Sequence, residues 1–141
     1  MGDDLARQLR RDEGVVEHAY IDSEGWTTIG VGRLIDQRKG GRLRDDEIEY
    51  LLQNDITEKS DELIRRLPWV ADLDEARQGV LINMAFNLGV SGLLGFRKTL
   101  ALVKAGDYAK ASVEMLDSKW ARQVKGRATR LSEQMRTGKW V

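Results

Sequence analysis

Apolar positions follow a helical period at the start of the chain. Leu5 and Leu9, with Ala6 beside them, predict a helix over about 4–13, capped by Asp3 or Asp4 and stopped by Gly14. From Val15 to Ile35 the pattern shortens to β-like pieces: Tyr20-Ile21, a turn at Asp22–Gly25, then Trp26–Ile29. Thr, Ile, Val and Trp are strand formers, and Gly25 supplies the positive φ that a tight turn requires. Gly30 and Gly32 mark either a bulge or a place where a ligand meets the backbone. Residues 36–44 are polar and glycine-containing, a loop. Ile48, Leu51, Leu52, Ile56, Leu63, Ile64 and Leu67 then recur at steps of three and four, predicting a long helix over about 45–67 that Pro68 breaks.

Beyond Pro68 the pattern is helical throughout. Asp74 reads as the N-cap of 75–88, closed by Gly89. That segment is apolar on most sides, so it is expected to be the buried central helix. Further helices are expected at about 97–105, 107–117 and 126–135, with a short turn around 119–123. The pattern as a whole predicts one mainly α-helical α+β domain with a short antiparallel β-hairpin sheet near its start. A length of 141 residues fits a single domain.

Composition removes many kinds of chemistry. The chain has no cysteine, hence no disulfide framework, thiol nucleophile or thiolate metal site. His18 is the only histidine, so neither a Ser-His-Asp triad nor a multi-histidine metal centre can be assembled. No run approaches the ~18 apolar residues of a membrane span, and the N-terminus lacks a signal-peptide core. Carboxylate chemistry remains. Net charge is zero, but residues 1–62 carry 16 acids against 9 bases, and residues 97–141 carry 11 bases against 4 acids. Such asymmetry predicts a basic face and an acidic partner, for which nucleic acid and bacterial cell wall both qualify.

The stretch Leu9–Leu34 holds the candidate chemistry. Glu13 ends the first helix, Asp22 opens the hairpin turn, and Thr28 follows six residues later. Taken alone, Glu13 is a solvated helix-end residue and Asp22 a turn residue bonding its own backbone. Taken together, two carboxylates are what glycosidic cleavage needs: one protonated to serve the leaving oxygen, one ionised. The order Glu13, Asp22, Thr28-Ile29-Gly30-Val31-Gly32 resembles the catalytic motif of the phage-type lysozymes, the endolysin muramidases of tailed phages. Ile82–Gly89 (INMAFNLG) and Arg136–Trp140 (RTGKW) resemble the same family, so the likeness runs from about Leu9 to Trp140.

The resemblance implies a lysozyme-like fold. Its N-terminal lobe covers about 12–55, its connecting helix about 45–67, and its helical C-terminal lobe about 1–11 and 68–141. It implies hydrolysis of peptidoglycan between N-acetylmuramic acid and N-acetylglucosamine, with inversion. Glu13 is the implied acid, Asp22 the implied base and Thr28 the holder of the attacking water. Leu34, Phe86 and Thr99 are the implied substrate contacts. No metal or organic cofactor is implied, nor nucleic acid, nor stable membrane insertion. The chain is expected to be a monomer made in the host cytoplasm and acting on the periplasmic wall after a holin has permeabilised the inner membrane. Departures from the family pattern are Arg33 after the second glycine, Glu114 in place of an amide and Lys119 in place of an Arg. Arg33 is expected to pair with Asp55, and Arg127 to approach Glu13. Of the tryptophans, Trp120 and Trp140 are expected to close the C-terminal core with their N–H groups bonded, and Trp69 to pack behind Pro68. Two other readings compete: a wall-binding module without activity, and a helical nucleic-acid binder using the basic C-terminal segment.

Overall fold

The computed structural model describes residues 2–21, 23–30, 33–34 and 43–141, and of residues 2, 3, 5, 13, 18, 19, 27, 33 and 34 the backbone only. The order is α1 (Gly2–Glu13), β1 (Val16–Ile21), β2 (Thr27–Gly30), β3 (Arg33–Leu34), α2 (Asp45–Arg66), a 3-10 turn (Pro68–Asp72), α3 (Glu75–Leu94), α4 (Arg97–Lys104), α5 (Tyr108–Leu116), α6 (Lys119–Val124) and α7 (Gly126–Thr137). This is the α+β, mainly helical architecture that the sequence predicts. The chain divides into two compact units, Met1–Leu52 and Gln53–Val141.

In the first unit, α1 begins at Gly2, ahead of the expected cap. Asp4 lies inside the first turn, where its charge suits the positive end of the helix dipole, and it pairs with Arg7 at 3.4 Å. The stop is the expected one: Gly14 takes φ +79° while its N–H bonds the Arg10 carbonyl at 3.0 Å. A Cβ there would meet nothing within 4 Å, so the demand for glycine is one of backbone conformation and not of space. The hairpin gains a third strand, giving an antiparallel sheet in the order β1-β2-β3. Tyr20 pairs with Thr28 and Ile21 with Thr27; on the other edge of β2, Thr28 pairs with Leu34. The register slips between Val16↔Gly30 and Tyr20↔Thr28, an irregularity in which residues 17–19 of β1 oppose Ile29 alone. At the start of α2 the Arg44 N–H bonds Glu47 Oε1 at 3.0 Å, the backward half of a capping box.

In the second unit α3 is the axis. Val80, Leu81, Met84 and Ala85 are fully buried, and the core spreads from them to Leu63, Val70, Val103, Met115 and Met135. Trp69 packs against this core, as expected. Asp74 caps α3 by accepting from the Arg77 N–H at 3.1 Å. The expected end at Gly89 is real: with φ +74° and ψ 158° it is non-helical, and a further short helical piece follows it to Leu94. The stretch 119–123, expected as a turn, is a helix, because Ser118 caps it. Trp140 also departs from expectation. It lies beyond the end of α7 and is 67% exposed. Its ring edge still covers Gly79, where an added Cβ would lie 2.5 Å from Trp140 Cη2. The chain turns away at Gly138, whose left-handed conformation ends α7 before Trp140 can be carried into the core.

Arg77 ties the start of α3 to the end of α7. Its Nε donates to the Met135 carbonyl at 2.7 Å and its Nη2 to the Arg136 carbonyl at 3.1 Å. Its Nη1 meets Asp74 at 3.1 Å, and its guanidinium lies 3.6 Å from the Tyr108 ring centroid. These are carbonyls that a helix end leaves without internal partners. Arg77→Gln is expected to lower stability by about 2–3 kcal/mol, the scale of hydrogen bonds to a charged group. Urea unfolding measures this, and an unchanged midpoint would mean that water replaces the guanidinium without loss.

Candidate functional site

The first unit carries the candidate acid–base segment. The backbone of α1 ends at Glu13, so Gly14 fixes where that residue leaves the helix. The Glu13 side chain, Asp22 and the Leu34 side chain lie outside the described residues, as do His18's ring and the expected pairing of Arg33 with Asp55. Thr28 is described in full. It sits on the middle strand of the sheet, bonded on both edges, and is 5% exposed. Its hydroxyl donates to the Trp26 carbonyl at 3.2 Å. That distance is long for an O–H donor, and the bond uses the only hydrogen while leaving the lone pairs free to accept.

The second unit carries a separate feature, an open cavity of about 680 Å³. Leu88, Phe96 and Trp120 form its apolar wall, with the Phe96 and Trp120 rings edge to face at 6.1 Å. Thr99 lines it and is buried at 2%. Phe86 lies two residues before Leu88 on α3 and is 39% exposed. Glu114 and Lys119, two of the departures noted in the sequence, both border the cavity. Trp120 fulfils its expectation: it is buried and its Nε1 donates to Asn87 Oδ1 at 2.7 Å.

Two asparagines of α3 anchor α6 and α7. Asn83 Oδ1 accepts from Arg127 Nε at 2.9 Å and Nη2 at 2.7 Å, and Asn87 takes Trp120. Four residues apart, they share a face of the helix. The sequence contains the signal, an amide pair at helical spacing within an apolar run, although no role was expected of either residue. Ser118 was also not foreseen. Its hydroxyl donates to the Met115 carbonyl at 2.8 Å and accepts from the Ala121 N–H at 3.1 Å, closing α5 and opening α6 with one side chain.

A three-stranded sheet after one helix, a long α2, and a helical unit built around α3 define a lysozyme-like α+β protein. The phage lysozyme family matches residues 10–136, most of the chain, and the chain belongs to that family. It is 32% identical to the pre-baseplate central spike protein Gp5 of Enterobacteria phage T4 over 160 aligned positions. These cover 95% of the chain but only 28% of that protein. It is 31% identical to probable T4-type lysozyme 1 of Dictyostelium discoideum, covering 92% of each, and 28% identical to probable T4-type lysozyme 2 of the same organism. The alignments are longer than the chain's 141 residues, so these relatives carry insertions relative to it.

Ser118→Ala removes both a cap and the tie to α5. A loss of about 1–2 kcal/mol is expected in urea or thermal unfolding. Ser118→Asp, which keeps the acceptor and loses the donor, is expected to recover part of it. Full stability in the Ala variant would remove Ser118 from its position as the joint between α5 and α6.

Proposed function

We propose that the chain is a peptidoglycan hydrolase that cuts the β-1,4 bond between N-acetylmuramic acid and N-acetylglucosamine. The observation that carries this reading is the family match, which spans Glu13, Asp22 and Thr28 together. Glu13 is the general acid that protonates the glycosidic oxygen. Asp22 acts as base on a water at the opposite face of the sugar. Thr28 accepts a hydrogen bond from that water, a role for which its free lone pairs suit it. Attack by water from the face opposite the leaving group inverts the anomeric carbon, and such enzymes hold their carboxyl groups ~6.5–9.5 Å apart. Leu34, Phe86 and Thr99 contact the glycan. Proton transfer and a polar cleft suffice for the step without a metal or organic cofactor.

The chain works as a monomer. It reaches the periplasmic wall from the host cytoplasm once a holin opens the inner membrane. Similarity to a spike protein supports a second route, in which the same hydrolytic segment is carried to the wall on a larger assembly.

Turbidity clearing of outer-membrane-permeabilised Gram-negative cells tests the reaction. Glu13→Gln is expected to clear at least about 100-fold more slowly, the usual lower contribution of a positioned general acid, with its circular dichroism unchanged. Equal clearing by both chains sinks the assignment of Glu13. Wall binding without clearing by the parent chain moves the protein to the binding-module class.

Proton NMR of the first products gives an independent check. The newly formed reducing end is expected as the α anomer, converting to β only by mutarotation. An initial β anomer would place the reaction among retaining mechanisms and remove the base role of Asp22.

A further inference from the structure

Trp140 is the largest apolar side chain that the second unit leaves in solvent. It is nevertheless held in place. One edge of its ring, Cη2 and Cζ3, lies over Gly79, where an added Cβ would come within 2.5 and 2.7 Å of those atoms. Only a residue without a side chain admits the ring there. Gly79 lies inside the 20-residue α3, where glycine is the poorest helix former after proline. The contact uses the six-membered ring of the indole. The N–H belongs to the other ring and has no hydrogen-bond partner among the described residues.

The helix gives this ring a neighbour. Gly79 and Phe86 are two turns apart on α3, so they share a face of the helix about 10 Å apart along its axis. The helix is regular between them, its non-helical break coming only at Gly89. Phe86 is partly exposed and is a glycan contact in the reading above. One face of α3 therefore carries an exposed aromatic ring at each of two levels.

Size decides what can occupy the upper level. The exposed apolar surface there is one indole, with only Val141 exposed beside it in the chain. A stable protein interface buries upwards of about 1,000 Å², and a docked helix needs several anchors one turn apart. A single indole instead seats one ring of its own size. Its electron-rich face attracts the C–H bonds on the apolar side of a pyranose, and its N–H serves a sugar oxygen. Lys139, exposed and without an ion pair among the described residues, adds a cation suited to an acidic wall. We infer that Trp140 is a stacking subsite for one N-acetylhexosamine of the peptidoglycan strand, on the face of α3 that it shares through Gly79 with Phe86. This rests on the peptidoglycan reading above and extends it, because the strand is then gripped at two levels of α3.

The probe is a peptide-free octasaccharide of alternating N-acetylglucosamine and N-acetylmuramic acid. It is added to the full chain carrying Glu13→Gln, so that the strand is not cut. Four tryptophans give four indole N–H signals in NMR, and the one lost in Trp140→Phe identifies Trp140. Nuclear Overhauser contacts are expected between sugar ring protons and the Trp140 indole. In calorimetric titration, Trp140→Ala is expected to bind the octasaccharide roughly three- to tenfold more weakly, the scale of one aromatic contact, and Trp140→Phe to recover part of the loss. The NMR contact is read with Trp140 in place, so it decides the matter even where Trp140→Ala fails to fold. Binding without contact at Trp140, equal affinity in Trp140→Ala, or no binding of the octasaccharide overturns the subsite. Contact at Trp140, with a parent chain that clears no cells, leaves the subsite standing and removes the hydrolase reading. Clearing by the parent chain without that contact does the reverse.

Discussion

The second unit depends on how α3 is buried. A helix that is apolar on most sides must be enclosed, and Val80, Leu81, Met84 and Ala85 are fully so. Enclosure forces a choice on any polar residue the helix carries: it must reach solvent or find a partner. Half-buried Asn83 finds a partner in Arg127, and exposed Asn87 supplies the acceptor that the buried Trp120 N–H needs. These bonds are directional where hydrophobic contact is not. They therefore fix the placement of α6 and α7, which packing alone would leave free to shift by a rotamer or a fraction of a turn. Arg77 does the same at the other end of α3 by bonding the last carbonyls of α7.

The cavity follows from that arrangement. Its apolar wall is Trp120 held by Asn87 and met edge-on by Phe96, and its charged rim comes from Glu114, Asp117 and Lys119 around Ser118 and from Arg97 and Lys98 at the start of α4. None of the rim charges stabilises the fold through an ion pair among the described residues. Exposed ion pairs contribute little in any case, about 0–1 kcal/mol, so leaving them unpaired costs the unit little. The segment 97–141 is strongly basic, yet the cavity also gathers Glu114 and Asp117, two of its four acids. A surface meant only to meet a uniform polyanion gains nothing from carboxylates at its concave point.

What could be read from sequence was mainly what local chemistry dictates. Gly14, Gly89 and Pro68 mark real ends, and Asp74 is a real cap, because each acts through a few adjacent residues. The helix at 119–124 was missed because its six residues carry too little periodicity, while its cause, Ser118, looks like any loop serine. Trp140 was misplaced because its fate rests on the left-handed turn at Gly138, a backbone choice two residues earlier. The Arg77 clasp joins residues 58 and 59 positions apart, a distance that no local pattern encodes. The candidate acid, base and hydroxyl were legible only as a motif. Each is an ordinary residue by itself, and only their spacing is unusual.

Thr28 shows why that spacing carries information beyond the motif. Through Leu52 it is the only buried residue among those whose side chains are described. A strand centre bonded on both edges is where a β-branched apolar residue would stabilise the sheet best, and valine has the same shape. Threonine there costs the burial of a hydroxyl, and its bond to the Trp26 carbonyl, at 3.2 Å, offsets little of that cost. The acceptor capacity that remains has no structural use in the sheet. A position that gives up stability for an unused acceptor, on the middle strand of the sheet, serves something other than the fold, and holding a water is the proposed role that would use it.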